Sequence, residues 1–105
     1  MRVTCVQLKM KDQSREKTIN DLFQKLEEVP ESDLIMLPEL WSTGFFRFSQ
    51  YHAEGEEIGG SLASRLRQVA VERGCYFHMG SFVEQDSVGF YNTSLLFSPE
   101  GKTIA

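Results

Sequence analysis

The run Leu34-Ile35-Met36-Leu37, closed by Pro38, is the feature that most constrains this chain. Four consecutive apolar residues fit a strand covered on both faces, as in a parallel sheet flanked by helices. Pro38 has no backbone donor, so regular pairing is expected to stop there. Glu39 follows at once, then Leu40 and Trp41. Open α/β sheets place their ligands beyond the carboxyl ends of the strands, which makes a carboxylate released there a candidate for chemistry. Burial among the neighbouring apolar residues would disfavour its charged form and suit it to acid or base work. Gly44 permits a sharp turn, and Trp41, Phe45, Phe46 and Tyr51 could wall a pocket. The plainer reading has Glu39 as a solvated loop residue and these aromatics as core.

Around this stretch the chain reads as alternating strands and helices. Residues 2–8 carry apolar side chains on both alternation faces, which suits a central strand. Ser14 is placed to cap a helix in which Ile19, Leu22, Phe23, Leu26 and Val29 recur at helical spacing, ended by Pro30. Residues 47–60 show no period, and Gly55, Gly59 and Gly60 among Glu54, Glu56 and Glu57 predict a solvated acidic loop. Ser61 can cap a second helix with Leu62, Leu66, Val69 and Ala70 on one face, and Gly74 can close it in a left-handed conformation. Residues 75–84 and 90–97 read as third and fourth strands joined by a turn. Ser98-Pro99-Glu100-Gly101 suits a type I turn, and a fifth strand starts at Lys102. Two crossovers imply parallel pairing and the later turns imply antiparallel pairing, so the fold class is α/β with a mixed sheet.

A chain of 105 residues is one domain at most. A net charge of −4 without a basic stripe argues against nucleic acid as partner. No apolar run reaches membrane-span length and no secretory signal is visible, so a cytoplasmic protein without membrane association is expected. Cys5 and Cys75, far apart in strand-like runs, read as buried, reduced thiols and not as a disulfide framework. His52 and His78 are isolated; His78, inside a strand, reads as a structural histidine. No His, Cys or acid spacing suggests a metal site, and no cofactor is expected.

Three segments resemble the nitrilase superfamily of carbon–nitrogen hydrolases. Leu37-Pro38-Glu39-Leu40-Trp41-Ser42-Thr43-Gly44-Phe45 is similar to its catalytic-glutamate segment. Val3-Thr4-Cys5-Val6-Gln7-Leu8 resembles its first strand. Tyr91-Asn92-Thr93-Ser94, with Ser98-Pro99-Glu100-Gly101, resembles its fourth strand and following hairpin. Order and spacing agree over nearly the whole chain, and Thr43-Gly44-Phe45 leans toward the amidase and ω-amidase-like branches. The resemblance implies the N-terminal part of an α-β-β-α sandwich, with residues 1–105 as a partial domain ending before the family's lysine and cysteine. It also implies a hydrolase of a small linear amide whose parent protein is a homo-oligomer.

In that family a cysteine attacks the amide or nitrile carbon, a glutamate takes its proton, and a lysine stabilises the tetrahedral intermediate. Glu39 matches the glutamate, with Trp41 and Phe45 as candidate substrate contacts. Reference values near 4.3 for Glu and 8.5 for Cys leave that proton transfer uphill by ~4 units, roughly 6 kcal/mol, so the glutamate needs help from its surroundings. Lys102 sits too early for the lysine and reads as an exposed hairpin residue. Neither Cys5 nor Cys75 falls at the nucleophile position. The 105 residues alone are therefore expected to be inactive. The alternatives are a non-catalytic α/β binding module or a truncated, inactive gene product.

Overall fold

The computed structural model describes residues 1–44, 49 and 51–105. Its elements run β1 (Val3–Cys5), α1 (Arg15–Glu27), β2 (Leu34–Met36), α2 (Tyr51–Glu54), α3 (Ser61–Arg73), β3 (Tyr76–Gln85) and β4 (Phe90–Phe97). The four strands form one sheet in sequence order. β1–β2 and β2–β3 pair parallel, and β3–β4 pair antiparallel, so the mixed sheet expected from the connections is present. The expected fifth strand is reduced to an isolated bridge between Phe97 and Thr103, with Ile104 N–H donating to the Leu96 carbonyl at 2.9 Å.

Local chemistry starts α1 and ends α3. Ser14 Oγ accepts from Lys17 N–H and caps α1. Gly74 closes α3 at φ 60°, ψ 36°, the left-handed conformation that glycine adopts without a side-chain penalty. The N-terminus of α3 departs from expectation. Gly60 is the capping residue and makes no side-chain bond, because Ser61 is already inside the helix. Its orphan donor is met from the loop instead: Leu62 N–H donates to Glu56 Oε1 at 2.8 Å. Glu56 also pairs with Arg15 of α1, and its backbone bridges to Glu84 of β3. The loop read as a solvated acidic face thus contains a helix cap, a short helix and a sheet contact.

The two long helices lie on one face of the sheet. Ile19, Leu22 and Leu26 of α1 and Leu62, Leu66, Val69 and Ala70 of α3 share a core with Ile35, Phe77, Met79 and Phe97. Ile35, Phe77 and Phe97 pair in a row across β2, β3 and β4 and face these helices. The Arg65 guanidinium lies 4.2 Å from the Phe23 ring centroid, and Arg73 donates to the Leu26 and Val29 carbonyls, tying α3 to α1.

The other face corrects the expectation of a strand buried on both sides. Leu34 and Met36 are only half-buried, because no described element covers them. They align with Tyr76 and His78 of β3, and Met36 also with Cys5 of β1. Met1, Asp33, Leu34, Tyr76 and Leu96 line an open cleft of about 420 Å³ there. Cys5 is exposed on this face, contrary to its reading as a buried thiol, whereas Cys75 is buried as expected. No helix among the described residues is long and apolar enough to cross a membrane.

Candidate active site

Glu39 stands on a turn directly after β2, three residues past Met36. This turn is held by a β-bulge in the neighbouring strand β3. His78 pairs with Leu96 and Ser81 with Ser94, so three steps on β3 oppose two on β4. The extra residue leaves the ladder locally unpaired and turns backbone groups toward the Glu39 segment. Ser81 N–H donates to the Pro38 carbonyl at 3.3 Å, Leu40 N–H donates to Ser81 Oγ at 3.0 Å, and Trp41 Nε1–H donates to the Met79 carbonyl at 3.0 Å. Residues on both sides of Glu39 are thereby fastened to the bulge.

Gly80 makes the close approach possible. Its φ is +68°, and a Cβ built there would lie 2.0 Å from the Pro38 oxygen. Any side chain would push the Glu39 turn off the sheet. The bulge is closed by a ring of three hydrogen bonds. Ser94 Oγ–H donates to the Gly80 carbonyl at 2.5 Å and Gly80 N–H donates to His78 Nδ1 at 3.2 Å. Because the serine proton is committed to Gly80, the 2.9 Å contact between His78 Nε2 and Ser94 Oγ has histidine as donor. Both ring nitrogens of His78 are thus engaged within the bulge.

Glu39 is exposed, as in the solvated of its two readings, and the burial that would disfavour its charged form is absent. Its turn leaves the sheet at the end of β2, while the helices cover the face marked by Ile35 and Phe77. Asn92 of β4 donates from Nδ2 to Glu39 Oε1 at 2.8 Å. Beside this pair, Leu40, Tyr51, Val83, Phe90, Tyr91 and Asn92 line a cavity of about 150 Å³, apolar except for the phenol and amide groups. Leu40 adopts φ +48°, a conformation uncommon for a branched residue, at the point where the chain turns from Glu39 into the core.

Of the candidates read from sequence, Tyr51 lines this cavity, and Glu39 is bonded to Asn92, which also lines it. Tyr51 also donates to the Gly44 carbonyl at 3.3 Å. Trp41 is fully buried and takes the second of its two readings, as core that anchors the segment. Phe45 and Phe46 lie outside the described residues. Among the described residues no group of three or more His, Cys, Asp and Glu is arranged to hold a metal ion. Asn92, Phe90, Tyr91, Gly80 and Ser81 were not singled out as site residues. Gly80 carried a usable signal, since an isolated glycine within a strand pattern marks a bulge or a close backbone approach, and Tyr91 and Asn92 fell in a segment that resembles the family's fourth strand.

The two cysteines stand apart from this constellation. Cys75 follows the C-terminal cap of α3, its N–H bonded to the Ala70 carbonyl, and burial pushes its thiol pKa up against the opposing pull of the Arg73 charge. Cys5 lies on β1, two strands away from the bulge.

The family model for carbon-nitrogen hydrolase matches residues 2–105. The 2-oxoglutaramate amidase of Paenarthrobacter nicotinovorans is 36% identical over 81 residues, which cover 73% of this chain and 28% of that protein. Omega-amidase NIT2 of Xenopus tropicalis is 37% identical over 75 residues, covering 70% of this chain and 26% of that protein. The crystal structure of an N-terminal amidase with an Asn-Glu peptide superposes with a TM-score of 0.85 at 21% identity, over 99% of this chain and 26% of its own. Nit3 of Saccharomyces cerevisiae, a nitrilase-superfamily member, gives 0.80 at 23% identity, over 100% and 42%. These superpositions speak to the fold. The chain spans little more than a quarter of the curated relatives it matches.

Proposed function

Because this chain belongs to the carbon–nitrogen hydrolase family, we propose that it supplies the glutamate-bearing part of an amidase active site acting on a small linear amide. Residues 1–105 are, on this reading, a partial hydrolase domain. The cysteine nucleophile and the oxyanion-stabilising lysine come from sequence outside them. The observation that carries the reading is the placement of Glu39. Its turn is fastened to the β3 bulge at Pro38, Leu40 and Trp41, and its carboxylate opens beside a small apolar cavity. The amidase names of the sequence relatives support the reaction class.

Glu39 acts as the general base. It accepts the thiol proton as sulfur attacks the amide carbon, then passes that proton to the departing amine. In the second half it takes a proton from the water that hydrolyses the thioester. The cavity beside it accommodates the substrate's chain, with Tyr51, Phe90 and Tyr91 giving apolar surface. Neither Cys5 nor Cys75 is the nucleophile. Cys5 lies on β1, two strands from the bulge, and Cys75 is buried just past the end of α3.

The test is Glu39→Gln in the complete hydrolase that carries this chain. The amide keeps the side chain's size but cannot take the proton. Turnover should fall below detection with an unchanged melting temperature; near-normal ammonia release would remove Glu39 from the mechanism.

A further inference from the structure

Asn92 belongs to the segment Tyr91-Asn92-Thr93-Ser94 that resembles the family's fourth strand, a resemblance that gives it no role. We propose that it is the positioning residue for Glu39, a proposal that rests on the reading of Glu39 as general base. The two side chains come from segments 53 positions apart in the sequence. Glu39 projects from a turn, while Asn92 stands on β4 opposite Val83, inside a regular antiparallel ladder. Its amide donates to Glu39 Oε1 at 2.8 Å. Among the described residues it is the one group bonded to that carboxylate.

The chemistry of the pair fits the task. A carboxylate on an exposed turn samples many rotamers, and general base catalysis needs one of its oxygens held toward the proton it removes. An amide nitrogen donor fixes Oε1 and leaves Oε2 for proton transfer. A lysine or arginine in that place would hold the carboxylate in its charged form and weaken it as a base. A neutral amide orients the group with a smaller electrostatic effect. The strand gives the donor a rigid base, because β3 and β4 pair continuously from Ser81 to Gln85 on one side and Phe90 to Ser94 on the other. The ionisable neighbours on adjoining elements are Glu84 of β3, Tyr91 of β4, and Tyr51 and His52 of α2. Glu84 is engaged by the Thr93 hydroxyl, and the His52 ring meets Phe90 edge-on.

The experiment compares Asn92→Leu, Asn92→Asp and Glu39→Gln in the complete hydrolase, with kcat, KM, the pH–rate profile and the melting temperature of each. Asn92→Leu should lower kcat by about 10- to 100-fold with little change in KM, the order of loss expected from a misdirected catalytic group. Asn92→Asp is nearly isosteric and keeps the strand. Its charge opposes ionised Glu39, so the acidic limb of the pH–rate profile should move to higher pH. A raised KM with an unmoved profile would make Asn92 a substrate contact and overturn the proposal. An unchanged kcat and profile in both Asn92 variants, with Glu39→Gln inactive, would overturn it while leaving the base in place. Activity surviving in Glu39→Gln would instead remove the base reading itself. Should Asn92→Leu fail to fold, the profile of Asn92→Asp decides alone.

Discussion

Gly80→Ala tests whether the bulge holds the Glu39 turn in place. The added Cβ would lie 2.0 Å from the Pro38 oxygen, whereas real contacts of this kind do not fall below 3.0 Å. The turn must therefore retreat by roughly 1 Å, the gap between those two distances. The Ser81 N–H to Pro38 bond, already 3.3 Å, then passes beyond hydrogen-bond range. Losing it and stranding a buried group costs about 1–3 kcal/mol. Alanine at the positive φ of this position adds about 1–2 kcal/mol. The sum, about 2–5 kcal/mol, is a large share of the 5–15 kcal/mol that holds a typical domain together. The 105-residue chain contains a single tryptophan, Trp41, whose indole is bonded to the bulge itself at Met79. Urea unfolding followed by its fluorescence, at concentrations that keep the chain monomeric, reads the site directly. The midpoint should fall by about 1–3 M. Gly59→Ala is the control, since a Cβ there meets nothing within 4 Å. If the two variants unfolded at the same urea concentration, the bulge would not be what fastens the turn.

Glu56→Ala should destabilise the fold by about 1–3 kcal/mol, because it removes the cap on Leu62 and leaves Arg15 without its partner; Glu56→Gln should recover part of that loss in the same unfolding assay. Cys5 should react with a thiol reagent in the folded protein and Cys75 only on unfolding, as peptide mass spectrometry would show. The folded pKa of Cys75 is raised by burial, so its contribution to stability is complete below the ordinary thiol value of about 8.5 and is lost as pH rises through the folded value. Stability should consequently fall in the alkaline range, and less so in Cys75→Ala relative to its own value at neutral pH. The 105 residues expressed alone should release no ammonia from small amides and should bind a hydrophobic dye through the face of Leu34, Tyr76 and Leu96. A dye-silent monomer would refute the second expectation.

Local chemistry determined much of this protein within the sequence itself. The helices follow from 3.6-residue periodicity, Ser14 and Gly74, and the mixed parallel and antiparallel pairing from the connections. The turn at Pro38-Glu39 follows from one missing backbone donor. These are short-range effects, carried by residues a few positions apart. What only the tertiary structure decided are meetings between distant segments. Asn92 reaches Glu39 across 53 positions, Ser81 receives Leu40 across 41, and Glu56 pairs with Arg15 across 41. No periodicity encodes such pairs, because each depends on where the sheet register falls. That register shifts by one residue at Gly80, and a one-residue shift redirects every side chain beyond it. The same limit explains why Leu34 and Met36 read as buried: apolar character shows that a face can be covered, while the arrangement of neighbouring elements decides whether it is.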